Sequence, residues 1–195
     1  MSKASVYRAP NAVSLKTVSY LSGLTALAVV LKVFELPYPP APFLKYDVSG
    51  IPLTLMAFVS LKYVFGLLPL YYIASVALGF DAIGMAMKCL SEASTFAPLT
   101  LIHGAASKRI SARAATTLAT TAALLSRVVV MSLANYIVTP YWLVWAGWVK
   151  DLREAEAFVI IYMPHIAVFN LTLALIVASA SITVYAILKR SGYLK

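Results

Sequence analysis

The chain is poor in the residues that perform chemistry and in those that face water. One cysteine, Cys89, and two histidines, His103 and His165, occur in 195 residues. A single thiol cannot close an internal disulfide, so no oxidised framework defines the fold or reports a compartment. Cys89 reads as a small apolar filler. The histidines fall on different predicted helices with no cysteine or carboxylate at ligand spacing, which excludes the usual zinc sites. No P-loop or other glycine-rich phosphate loop is present, so the chain is expected to be no enzyme and to draw its energy from a gradient or a partner. Charged residues make up 12% of the chain, against about a quarter in a soluble domain.

What fills the sequence is hydrocarbon, at 62% hydrophobic residues. A water-soluble core of this size could not hide so much apolar surface. The stretches Val18 to Phe34, Ala112 to Ile137 and Phe158 to Leu188 are each near or above the roughly 20 residues that cross a bilayer as a helix. Lipid is therefore taken as the solvent. The first apolar segment lacks a small-residue cleavage site and is long enough to stay in the membrane, so it is expected to be a retained helix.

The net charge of +9 could suggest nucleic acid, but the basic residues sit at the ends of apolar segments. Lys3, Arg8 and Lys16 precede the first, Lys108, Arg109 and Arg113 share one connection, and Lys189, Arg190 and Lys195 close the chain. Putting all three clusters on the cytoplasmic side satisfies the positive-inside rule and needs an even number of crossings. The expectation is a multi-pass protein of the cell membrane, both termini cytoplasmic, with the lipid bilayer and no nucleic acid as partner.

The predicted fold is all-α, a single membrane domain over 1–195 built as one bundle of six transmembrane helices. Their approximate ranges are 15–35, 51–65, 67–90, 93–106, 112–138 and 158–189. Leu36-Pro-Tyr-Pro-Pro-Ala-Pro42 forbids helix and favours extended backbone after the first. Pro52 suits the first turn of the second, where its missing N–H goes unnoticed. Residues 140–156 read as an aromatic and charged outer connection, its tryptophans placed as an interfacial belt. Ala174, Ala178 and Ser181 allow helices of the bundle to approach closely.

Polar groups inside these segments carry the most information, because a charge at mid-bilayer costs at least about 3 kcal/mol and faces a cavity or another helix. Asp81, Lys88 and Arg127 are such groups; Arg127 reads either as an interhelical ion pair or as a substrate contact. Asn135 and Asn170 each offer donors and an acceptor where water competes poorly. They could line an outward-facing pocket together with the loop from Lys45 to Pro52, or bond across helices as polar glue.

Several motifs coincide with a known pattern. Phe43-Leu-Lys-Tyr-Asp-Val-Ser-Gly-Ile-Pro52, Asn135-Tyr136 with Pro140-Tyr141, Phe169-Asn170-Leu171, and Glu92 occur in an order that resembles the S-components of energy-coupling factor transporters, most closely the riboflavin-binding type. The resemblance implies a vitamin bound near the outer surface under the loop between the first two helices. It implies partners too: a membrane coupling subunit and paired cytoplasmic ATPases. The implied substrate-binding residues are Lys45, Tyr46, Asp47, Ser49, Glu92, Asn135 and Asn170, the two asparagines reading the isoalloxazine edge. Ser22 and Ala26 on the first helix are the implied docking pair for the coupling subunit. Riboflavin is then transported ligand rather than cofactor.

Three positions depart from the riboflavin-type pattern. Leu173 replaces a usual lysine, Gly50 a usual acid, and Thr95 a usual asparagine. Without the lysine, either another residue supplies a charged donor to the ring or the ligand differs. Another small vitamin or precursor, and a membrane structural or assembly protein with no ligand, stay open beside riboflavin.

Overall fold

The computed structural model describes residues 14–193; the basic residues Lys3, Arg8 and Lys195 lie outside the described residues. Among those described, six helices follow one another: α1 Leu15–Val33, α2 Gly50–Val59, α3 Leu61–Ala77, α4 Ala82–Ala106, α5 Ala112–Trp145 and α6 Leu152–Arg190. Three of them, α1, α5 and α6, are long and apolar enough to cross a membrane, while α2 and α3 are shorter apolar helices.

Local chemistry sets the boundaries. Ser14 caps α1 by accepting from the Thr17 N–H. The proline-rich stretch after α1 forms a small hairpin, with β1 Leu36–Pro37 antiparallel to β2 Lys45–Tyr46 in the register Leu36 to Tyr46 and Pro37 to Lys45. Its turn closes through Tyr38 N–H to Leu44 O and Leu44 N–H to Ala41 O. In α2, Pro52 sits in the first turn and costs no helical hydrogen bond.

The middle of the chain departs from the expected ranges. Helix breaks were anticipated near Gly66 and between 90 and 93; they occur at Ser60 and at 78–81. Ser60 takes extended backbone, φ −168° and ψ 126°, which separates α2 from α3. After α3, Gly79 adopts φ +95°, a left-handed conformation glycine takes without a Cβ penalty. Phe80 N–H then closes on Ser75 O and Gly79 N–H on Val76 O, the pattern of a glycine-terminated helix. Asp81 restarts the chain as the cap of α4, accepting from Gly84 N–H. The Ser91 to Thr95 stretch is helical, its buried hydroxyls satisfied by the helix's own carbonyls, Ser94 and Thr95 both on Ser91 O.

The outer connection is also shorter than expected. α5 runs through Pro140 to Trp145 and ends at Gly147, φ +73°. α6 begins at Leu152, where Asp151 accepts from Glu154 N–H and the Glu154 carboxylate accepts from Lys150 N–H, a reciprocal cap.

The short helix α2 is the centre of the bundle, buried along most of its length and packed against α1, α3, α4 and α6. α5 packs on α4 and α6. Ala115, Ala119 and Ala123 of α5 and Ala174, Ala178 and Ser181 of α6 are fully buried, as small residues are where backbones approach closely in lipid.

Candidate binding site

At one end of the bundle the α1–α2 loop covers a cavity of about 380 Å³, within the range of small-molecule sites. Its walls come from the end of α1 (Lys32), the loop (Glu35, Phe43, Lys45, Asp47), the start of α4 (Asp81, Lys88), the C-terminal half of α5 (Arg127, Asn135, Trp142) and α6 (Phe169, Asn170, Leu173). Phe80 and Trp148 add further aromatic surface.

Four of the expected binding residues, Lys45, Asp47, Asn135 and Asn170, line this cavity. The other three stand behind its wall. Tyr46 packs at a tilt against Phe169 with ring centroids 4.8 Å apart and shares a 2.6 Å hydrogen bond with Thr172, fixing the loop to α6. Ser49 bonds Asp47 and shares a 2.9 Å hydrogen bond with the Tyr71 hydroxyl. Glu92 lies fully buried beneath, paired with Lys88 at 2.7 Å and Arg127 at 3.2 Å. Ser22 and Ala26 are exposed on α1 and line no part of the cavity.

Asp47 is where the loop meets the bundle. Its carboxylate takes the Ser49 N–H at 3.0 Å, Lys88 at 2.9 Å and Lys32 at 3.5 Å. Burial by itself would raise the carboxyl, but the charges of Lys88 and Lys32 and the bond from Ser49 hold it at about 2. Glu35 shows the same balance: burial pushes it up, and hydrogen bonds from Lys32 and Lys45 bring it below the ordinary carboxylate value. Lys32 was not foreseen as part of the site; its place in the last turn of α1, three residues before Glu35, was the available signal.

The charges balance. Lys32, Lys45, Lys88 and Arg127 face Glu35, Asp47 and Asp81 around the cavity, and Glu92 directly behind makes four of each sign. Asp81 also accepts from the Trp142 indole N–H at 3.1 Å, joining α4 to α5.

Both asparagines are partly engaged. Asn135 donates to Met131 O and accepts from Thr139; Asn170 donates to Ile166 O and accepts from Arg127 Nε. Each amide keeps one N–H and one lone pair in hand. The departure at Gly50 has a steric basis: a Cβ there would collide with the Glu92 carboxylate, which occupies the space a side chain at 50 would need. Leu173 is 2% exposed and gives the cavity wall hydrocarbon where a cation was the usual residue. Thr95 accepts from Arg127 Nη1 at 3.1 Å.

The described residues form a helical bundle with a loop-covered cavity at one end, and a solved structure shares that fold. The chain superposes on the S component of a bacterial ECF transporter with a TM-score of 0.70, covering 90% of this chain and 96% of that one at 21% identity. The protein has the S-component fold. No protein-family model and no curated protein matches the sequence.

Proposed function

We propose that this protein is a substrate-binding S-component of an ECF-type uptake transporter and that its ligand is a small uncharged vitamin, riboflavin first. The observation that carries the reading is the cavity itself: aromatic walls from Phe80, Trp142 and Phe169, two buried amides with spare hydrogen-bonding capacity, and balanced charge. Aromatic faces suit a flat ring system. The amides suit a heterocycle that presents both donors and acceptors. A balanced cluster favours a neutral ligand, since an ion would enter with no unpaired counter-charge to meet it.

Six crossings with both termini cytoplasmic fit the distribution of charge. The seven acidic residues lie in the cavity half of the bundle, four at the cavity and Asp151, Glu154 and Glu156 at the α5–α6 connection. The opposite end carries Lys16, Lys108, Arg109, Arg113, Lys189 and Arg190, which the positive-inside rule assigns to the cytoplasm and so turns the cavity outward. With no phosphate loop in the sequence, energy comes from partner ATPases through a membrane coupling subunit, docked on the exposed small residues Ser22 and Ala26. Leu173 favours a second reading, another uncharged vitamin in the same cavity.

Purification in mild detergent followed by mass spectrometry of any retained small molecule, and a fluorescence-quenching titration with riboflavin, test the proposal. Saturable quenching supports it. None at micromolar riboflavin removes the flavin, and a different retained compound selects the second reading.

A further inference from the structure

One cation in the cavity wall has donors that the protein leaves unused. Arg127 on α5 is 1% exposed. Its Nε donates to Asn170 Oδ1 at 3.2 Å, and its Nη1 donates to Glu92 Oε1 at 3.2 Å and Thr95 Oγ1 at 3.1 Å. The guanidinium plane is thereby fixed between α4 and α6. Nη2 makes no hydrogen bond among the described residues, yet it is not one of the fully occluded side-chain atoms that lack a partner. Arg127 lines the cavity, so that is where free donors of its guanidinium can meet a ligand.

Glu92, shared with Lys88, lies against the guanidinium and the cluster as a whole is balanced, so what Arg127 offers a ligand is a directed pair of N–H groups. The complement of such a pair is a neutral acceptor such as a carbonyl oxygen. Asn170, held by the same guanidinium, also lines the cavity and keeps one amide N–H without a protein acceptor among the described residues. Leu173, three residues further along α6, contributes no donor.

We propose that Arg127 is a specificity-determining contact, its Nη2 donating to a ring carbonyl oxygen of the ligand while Glu92 and Thr95 hold the guanidinium in place. The proposal rests on the flavin reading of the cavity. It selects ligands with a carbonyl on the buried ring edge over isosteres without one, because a buried donor pair left unmatched is penalised.

The test titrates the full chain in mild detergent with riboflavin and with its two analogues carrying sulfur in place of one or the other ring carbonyl oxygen. Sulfur is a poorer acceptor, so the analogue altered at the contacted carbonyl should bind the wild type several-fold more weakly than riboflavin. Arg127→Lys keeps a charge for Glu92 but loses the planar donor pair. It should weaken riboflavin binding about ten- to hundredfold and erase the difference between riboflavin and that analogue, as coupled partners do in a double-mutant cycle. Should Arg127→Lys fail to fold, the double variant Glu92→Gln/Arg127→Met, which leaves no uncompensated charge, is read the same way. Equal binding of both analogues and riboflavin by the wild type overturns the contact, as does an analogue penalty that survives in the variant. No saturable binding of riboflavin by the wild type overturns the flavin reading itself.

Discussion

Replacing the charge on Asp47 tests the site most directly. In Asp47→Asn the side chain keeps its size and an amide oxygen can still accept from Ser49, while the attraction to Lys88 at 2.9 Å and Lys32 at 3.5 Å is lost. Lys88 retains Glu92 and Lys32 retains Glu35, so the cost falls below the roughly 3 to 5 kcal/mol of orphaning a buried charge. The carboxyl gives a second route to the magnitude. It sits at about 2 against an ordinary value of 3.8, which at about 1.4 kcal/mol per pH unit amounts to about 2.5 kcal/mol. Because the folded value is the lower one, this stabilisation is complete above about pH 4 and is lost as pH falls through about 2. Asp47→Asn should therefore lower the thermal midpoint at pH 7 by about 5 to 10 °C for a chain of this length. The gap should close as the pH approaches 2. Thermal unfolding in mild detergent, followed by the fluorescence of Trp142, Trp145 and Trp148, measures both. A variant that melts with the wild type at pH 7, or a gap that persists at pH 2, would refute the reasoning.

Three further outcomes are expected. Asn135→Ala should weaken riboflavin binding about tenfold by leaving a ligand group unpaired, and Asn170→Ala by more because Arg127 also loses a partner; unchanged titrations would remove the asparagines from the site. Ser22→Leu or Ala26→Leu should block uptake in cells while the purified protein binds ligand normally, and loss of both together would assign these residues to the chain's own packing. In a Cys89→Ala background, a cysteine introduced beside Arg109 should react with an impermeant thiol reagent only after the cells are opened; labelling of intact cells would reverse the orientation.

The helical class and the cavity-lining asparagines were legible because burial in lipid forces backbone polar groups into helices and makes isolated polar side chains conspicuous. Asn135 and Asn170 stood out in runs of apolar residues, and both reach the cavity. The break between α3 and α4 was missed for a local reason. Gly79 and Asp81 are a glycine stop and an aspartate cap, but they sit in one continuous apolar run, and the break was placed instead between 90 and 93. Hydroxyls that bond back to their own helix cannot be distinguished from turn-forming ones in a string of letters. Pairing was equally hidden. That Lys88 joins Asp47 to Glu92, and that Arg127 holds Asn170, depends on how α4, α5, α6 and the loop sit together.

The ties at Asp47 also set a clock. They hold the α1–α2 loop against the bundle over the cavity, so on the binding reading a ligand exchanges when that loop lifts. The open form is then the minor one, and it grows when the Asp47 ties are removed. Association and dissociation slow together, since the loop lifts in either direction. Stopped-flow quenching should show Asp47→Asn exchanging ligand faster both ways, with the equilibrium affinity changed less than either rate. Traces with unaltered rates would mean that ligand reaches the cavity by a route that leaves the loop in place.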